Sequence, residues 1–489
     1  MYRMSEFFVR AIVVVACVLT SQFAFAQELL VGLAEADITP PVGFPMAGYY
    51  HERLADGQRD PLQAKAVVLR QGNVSAAFVV ADLTGVARDL YKQVVQQASA
   101  ATGISEQHIV LSATHSHTAP DYSGQLYSHL KKAADDRDAN SYSQKLIDGC
   151  VSALVTANSA AQPASIVAGR GQQEVPVAFN RRFVMKDGSV KTWQSYTSSD
   201  VLRAAGPIDP EVGLLAFKSA DGEKTVGVVS NFALHLDTVG GTQWSGDYPY
   251  YIEQSLRKRF GEKMTSVFGL GCCGDINHSN PNAKERNKTD FIGNAIADTI
   301  NAALPDLKPV KETRLQVRST TVNLPMPEVT QHELSRAEEL IPIARAGGKV
   351  AFFDLVSAYK AVVQDQLQNK TPRTDCETLL SWGLSHEWRG IGKTLPVDVT
   401  TITIGRDVAI VFLPGEVFVE LGLAIKQASP YSTTMIFELS NCVETMYIPT
   451  RAAYAGGSYE VTNSAVEPGS GEMLVEAALT LLRESASAE

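Results

Sequence analysis

The strongest constraint in this sequence is a recurring order: an apolar stretch of strand length, a loop of metal-ligand-type side chains, then an amphipathic helix. In "LQAKAVVLRQG", Leu62, Ala64, Ala66 and Val68 alternate onto one face, and "AAFVVADL" follows across Gly72-Asn73, which predicts two strands around a turn. Val86, Leu90, Val94, Val95 and Ala98 then take helical spacing over about 86–102. "HIVLSATHSH" reads as a strand running into a loop, with a helix over about 143–161. The order returns at "TVGVVSNFALH" with a helix near 249–260, and at "TSVFGLGCCGD" with a helix near 289–303. "VTTITIGRDVAIVFLPGE" reads as a hairpin turning at Gly405-Arg406-Asp407, with a helix from about Glu416. "TTMIFELSN" is another strand, and about 470–485 is a closing helix. Such interleaving predicts an α/β or α+β fold, a mixed β-sheet core with surrounding helices and a site at the strand ends. About 330–390 is helical text without strands ("HELSRAEELIPIARA", "VAFFDLVSAYKAVVQDQL"), an insertion or cap on one catalytic-type domain spanning 27–489.

A chain of 489 residues, 45% apolar and 20% charged, can bury a large core, which excludes wholesale disorder. Its formal net charge of −10, without a basic patch, argues against nucleic acid as a partner. At the N-terminus Arg3 and Arg10 bracket the opening, Ala11 to Leu19 is apolar, and Ala24-Phe25-Ala26 precedes Gln27. This predicts a signal peptide over 1–26 and an exported protein, periplasmic or secreted, with no transmembrane anchor. A lipoprotein box at Val14-Val15-Ala16-Cys17 is the weaker rival, because Val18 and Leu19 continue the apolar run past the cysteine. Export permits disulfides, but Cys150, Cys272, Cys273, Cys376 and Cys442 are odd in number and fit no zinc ribbon or C-x-x-C motif, so they read as structural.

Four strand exits carry candidate chemistry. In Ala113-Thr114-His115-Ser116-His117-Thr118, histidines at i and i+2 of an extended segment would face one side and share a site. Neutral imidazole is a good zinc ligand; the plainer reading is a polar loop with incidental histidines. His235 ends a buried strand, where a lone histidine is more often structural. Glu416 follows Leu413-Pro414-Gly415, where a helix N-terminus would stabilise a carboxylate with or without a metal. Gly271-Cys272-Cys273-Gly274-Asp275 brings small residues after a strand: either backbone N–H groups near Gly274 serve an oxyanion, or Asp275 caps a tight turn. No G-x-S-x-G elbow, H-E-x-x-H helix, Walker loop or dinucleotide fingerprint competes.

Taken in order, these segments resemble the N-terminal catalytic domain of the neutral/alkaline (non-lysosomal) ceramidase family. The resemblance is carried by "VGLAEADITPPVGFPMAGY", "DPLQAKAVVL" with "VVADLTG", "SATHSHTAP", "NFALH", "GDYPYYIEQSL", "LPGEVF" and "SNCVETMYIPTRAAYAGGSYE", with Tyr447, Tyr454 and Tyr459 in the family's spacing, so that it covers Leu29 to Glu460. It implies His115, His235, Glu416 and Tyr447 as ligands of one Zn²⁺ per chain, with His117 beside the metal at the scissile group. It also implies an arginine from Asn180-Arg181-Arg182, Arg181 being favoured over Arg182. Asp275 and Asn277 fall in the family's glycine–aspartate motif, where Asn277 replaces a serine credited with a part in catalysis. Full-length ceramidases carry a further C-terminal β-sandwich-type domain, and this sequence ends soon after the tyrosine segment.

The resemblance implies a zinc-dependent hydrolase of sphingolipid metabolism, in which metal-activated water cleaves the amide of N-acyl sphingosine into fatty acid and sphingoid base. A second reading keeps the metal and takes a glycan, glycoside or other polar conjugate, with Trp193, Trp244, Trp382 and Trp388 as candidate platforms. A third, from another class, is a binding protein that kept the fold without turnover.

Overall fold

Residues 28–374 and 386–488 are described in the computed structural model. Its larger sheet has nine strands. Eight follow the order β8-β7-β6-β5-β1-β2-β3-β4, from Leu30–Asp37 (β1), Gln63–Gln71 (β2), Val74–Ala81 (β3), Ile109–Ala113 (β4), Gln162–Gln172 (β5), Glu211–Ser219 (β6), Thr225–Phe232 (β7) and Thr265–Leu270 (β8). Lys308–Pro309 joins it beside β5. Only β3–β4 and β7–β8 pair parallel; the other neighbours are antiparallel. A second sheet of four strands, Leu315–Pro325 (β9), Thr394–Ile404 (β10), Val408–Phe412 (β11) and Thr433–Phe437 (β12), runs in that order with β11–β12 parallel.

The two sheets meet face to face, because both present a continuous apolar surface on one side. Phe78, Phe217 and Val267 of the first interleave with Ile402, Ile410, Met435 and Phe437 of the second. The rings of Phe78 and Phe412 sit 5.5 Å apart, and those of Phe78 and Phe437 5.8 Å apart. Helices cover the outer faces: Arg88–Thr102 (α1), Ser123–Leu130 (α2), Tyr142–Ser159 (α3), Tyr248–Phe260 (α4) and Thr289–Ala303 (α5) pack on the larger sheet. Gln331–Arg345 (α6), Phe352–Gln368 (α7), Val419–Ala428 (α8) and Ser470–Ser487 (α9) pack on the smaller. The result is four layers, helix–sheet–sheet–helix, which is the mixed-sheet architecture the alternation predicts.

The predicted helices near 143–161, 249–260, 289–303 and 470–485 all form, and the 330–390 insertion contributes α6 and α7. One boundary differs. Glu416 does not begin a helix; Glu416–Val417 pairs parallel with Tyr447–Ile448, and α8 starts at Val419. Strands β5 and β9 escaped the sequence reading because their text is largely polar: both leave much of their length part-exposed, so no apolar run marks them. The signal-peptide and lipoprotein readings, Cys376 and Trp382 lie outside the described residues. Among those described, no helix is long and apolar enough to cross a membrane, and Cys150, Cys272, Cys273 and Cys442 are buried and unpaired.

A close approach between the sheets needs a missing side chain. A Cβ at Gly269 in β8 would lie 2.1 Å from the Phe437 ring. Gly269→Ala is therefore expected to lower stability by about 1–3 kcal/mol through overpacking, read as a fall in denaturant midpoint at unchanged slope.

Candidate metal centre

The same unit occurs three times: a hairpin, a helix, and a strand returning parallel to the hairpin's second strand. The units are β2–β3–α1–β4, β6–β7–α4–β8 and β10–β11–α8–β12. Parallel neighbours end at the same sheet edge, so each unit delivers two loops to one place. His115 follows β4, His235 follows β7 and Glu416 follows β11. Tyr447 is brought opposite Glu416 by the two-residue ladder.

His115 Nε2 and His235 Nε2 lie 2.9 Å apart, and Glu416 Oε2 is 3.3 Å from the first and 3.6 Å from the second. The other ring nitrogens face backbone carbonyls: His115 Nδ1 meets Thr84 O at 2.5 Å and His235 Nδ1 meets Cys273 O at 3.3 Å. A carbonyl only accepts, so each ring holds its proton at Nδ1 and turns the Nε2 lone pair inward. Glu416 Oε2 is buried without a hydrogen-bond partner. Three electron-pair donors facing one another fit a cation between them. His117 Nε2 is 3.3 Å from His115 Nε2, and the ligand atoms of His115, His117 and His235 all lie within 4.8 Å of one another. The two histidines of the H-x-H do meet, but not by strand alternation: His115 has φ of 71°, a strained left-handed turn that swings its ring toward His235.

Arg181 closes the cluster. Its Nε donates to Glu460 at 2.8 Å, and its Nη2 donates to Gly274 O at 2.8 Å and to the Tyr447 hydroxyl at 3.0 Å. Its Nη1 stands 3.5 Å from His235 Nε2. Arg182 points elsewhere, to the other oxygen of Glu460 and the face of Phe418. Glu460 is fully buried and also accepts from Thr192; no sequence signal marked it, because its partners come from a segment some 270 residues away.

Burial lowers His115, but Glu416 outweighs it and the imidazole ends raised; Glu416, which burial would raise, is held low by His115 and Arg181. Burial, then the charge of His115, pushes His117 down to about 4 and His235 well below the usual range. Burial and then Glu416 hold the Tyr447 phenol well above its ordinary value.

Asp275 accepts from Val419 N at 2.9 Å and from Asn180 Nδ2 at 2.6 Å, so it caps α8 at the place foreseen for Glu416. Asn277 accepts from Ser279 N at 3.1 Å within its own turn. Of the glycine–aspartate loop's backbone N–H groups, Gly274 N donates to Val417 O and Cys273 N to Glu438.

A cavity of about 380 Å³ opens on the cluster, lined by His117, Arg181, His235, Asp237, Tyr447 and Tyr459. Trp193 and Phe352 form its outer wall, and Ala344, Gly348 and Val350 from the α6–α7 turn roof it, so the insertion covers the site. A narrower cavity of about 140 Å³ leads past His115, His117 and Glu416 toward Asp121 and Tyr122. Burial, with Glu52 nearby, pushes the Asp121 carboxyl up to about 7. Of the tryptophan platforms, Trp193 faces the cavity, whereas Trp244 and Trp388 are buried in the packing.

Residues 29–261 match the family profile of neutral/alkaline non-lysosomal ceramidase, N-terminal. The resemblance to the ceramidase family read from the motifs is borne out over that span, and it supports a hydrolase. A solved neutral ceramidase from Pseudomonas aeruginosa aligns with a TM-score of 0.68 at 20% identity, over 95% of this chain and 76% of that one. A structure described as ceramidase complexed with C2 aligns at 0.67 and 19% identity, with the same coverages. At such identity the likeness is one of fold, and it extends the ceramidase architecture beyond the profile match. No curated protein sequence matches.

Two outcomes are expected. Zn²⁺ added to metal-free protein should raise the melting temperature, by the equivalent of about 2.7 kcal/mol at a hundredfold excess over Kd, and His115→Ala should abolish the rise. Asp82, which holds Gln63 N and Thr114 behind the site, is raised to about 7 by burial. A raised carboxyl stabilises fully below its unfolded pKa near 3.8, and that contribution is lost as pH rises through about 7. The melting temperature of Asp82→Asn relative to the parent should therefore shift in the variant's favour between pH 4 and pH 8.

Proposed function

We propose that this chain is an exported, zinc-dependent hydrolase of amide bonds, with N-acyl sphingosine the substrate favoured by the family match. The observation that carries the reading is the buried convergence of His115 Nε2, His235 Nε2 and the unpartnered Glu416 Oε2. Two neutral imidazoles, a carboxylate and the Tyr447 phenol are the mixed N/O donors that Zn²⁺ takes. His115, His235, Glu416 and Tyr447 would hold such an ion, which would supply Lewis acidity and lower the pKa of a water from ~15.7 towards ~7.

The chain's own groups do the rest. Arg181, fixed by Glu460 and Gly274 O, is a cation already oriented toward the cavity, so it stabilises developing negative charge without reorganising. His117 is neutral at pH 7 and lines both cavities, and its buried Nδ1 has no partner. Its low basicity suits hydrogen bonding to the carbonyl oxygen or the departing nitrogen better than storage of a proton. Arg53 fixes the backbone beneath it by donating to His117 O at 2.6 Å. The N-terminal segment supports export.

Zinc-loaded protein should release fatty acid from a fluorescent N-acyl sphingosine, lose this with a chelator and regain it with Zn²⁺. Arg181→Met should cost about 10²–10³ in kcat. Bound zinc without ceramide turnover would move the reading to a polar conjugate, which the exposed face of Trp193 and the cavity-facing Asp237 favour.

A further inference from the structure

Between β12 and Tyr447, three residues other than glycine hold left-handed backbone: Leu439, Asn441 and Met446, at φ of 52°, 64° and 55°. Asn takes up that conformation more readily than Leu or Met, and all three keep it only where the surroundings overdetermine the chain. Here the surroundings are the strand exits that carry the site. Glu438 N donates to Leu270 O at the end of β8 at 3.0 Å, Leu439 N to Gly415 O at 3.0 Å and Ser440 N to Leu413 O at 2.9 Å, while Leu439 O accepts from Ala113 N at 3.2 Å. Strand β4 is an edge of the larger sheet, so the outward N–H and C=O of Leu111 have no neighbouring strand of that sheet to pair with. Asn441 answers both: its N donates to Leu111 O at 2.8 Å, and its Oδ1 accepts from Leu111 N at 3.1 Å. With the backbone left-handed, the side-chain oxygen stands in for the carbonyl that a strand residue would offer.

The two loops joined in this way are those that deliver His115 and Glu416. Leu111 and Ala113 end β4 just before His115, and Gly415, which accepts from Leu439 N and donates to Cys442 O, directly precedes Glu416. We propose that Asn441 is a positioning residue for the metal centre: by closing the edge of β4 onto the segment that grips Leu413 and Gly415, it sets the separation between His115 and Glu416. Asn441 is buried and lines neither cavity at the cluster, so it acts only through the strand exits. This rests on the metal-centre reading above. No sequence signal marks the residue, because 330 positions separate it from Leu111.

The test separates the acceptor from the backbone conformation. Asn441→Gly permits the left-handed φ and removes the acceptor, whereas Asn441→Asp keeps both. Zn²⁺ affinity of the folded full chain is measured by competition with a chromophoric chelator. The visible spectrum of the Co²⁺-substituted protein reports coordination geometry, which a loss of stability alone leaves unchanged. Asn441→Gly should weaken Zn²⁺ binding by about 10- to 100-fold, the range for residues that orient metal ligands from outside, and should shift the Co²⁺ bands. Asn441→Asp should stay close to the native protein in both. Ser440→Ala removes the 2.6 Å hydroxyl contact with Ser112 between the same two segments. It serves as the readout if Asn441→Gly does not fold, and it should weaken Zn²⁺ in the same direction. Native affinity and spectrum in Asn441→Gly, or in Ser440→Ala where that is the readout, overturn the assignment, as does an equal loss in Asn441→Asp. A native protein that binds neither ion removes the metal-centre reading and the assignment with it.

Discussion

Parallel pairing at three places in the two large sheets is the constraint on which the rest of the structure depends. A parallel neighbour must be reached by a crossover, here through α1, α4 and α8, and it finishes at the same edge as the strand it joins. Because the two sheets pack face to face, these edges converge, and residues from three distant segments arrive within hydrogen-bond distance. The close fit of Gly269 against Phe437 keeps the sheets near enough for this to happen.

So many polar groups under one roof are costly unless each is answered. The chain answers them in pairs: Arg181 and Arg182 share Glu460, and Asp275 is taken up by α8 and Asn180. Glu438 accepts from Val417 N at 2.6 Å and from Cys273 N at 3.2 Å, tying the Glu416 ladder to the loop that orients His235. Burial holds its carboxyl well above the usual range. Left without a hydrogen-bond partner at the site are Glu416 Oε2 and His117 Nδ1, beside the inward-facing Nε2 atoms of His115 and His235. Those gaps are the features a ligand would complete.

The α6–α7 insertion turns this cluster from an open edge into a cavity. Phe352 packs on Tyr50, Trp193 and Tyr459 from three segments, so the roof is held by aromatic contact instead of by backbone pairing. Such a roof narrows access to the cluster, and an apolar cover strengthens charge interactions beneath it. It also sets a mixed lining, apolar rings with a carboxylate among them.

The sequence by itself determined most of the elements and named the candidate ligands. Apolar alternation located the hairpins at Gly72-Asn73 and Gly405-Arg406-Asp407, and motif order singled out His115, His235, Glu416 and Tyr447, because local patterning and short motifs are properties of consecutive residues. It placed a helix at Glu416 where a two-residue ladder forms, since that ladder depends on Tyr447, which sequence spacing does not bring near. It left open whether Asp275 caps a turn or serves a ligand, and in the fold Asp275 accepts from the first turn of α8 while Asn277 accepts within its own turn. Glu460 and Asn441 could be recognised only in three dimensions. Their significance lies in what faces them, and sheet packing and parallel crossovers, not neighbouring residues, decide what that is.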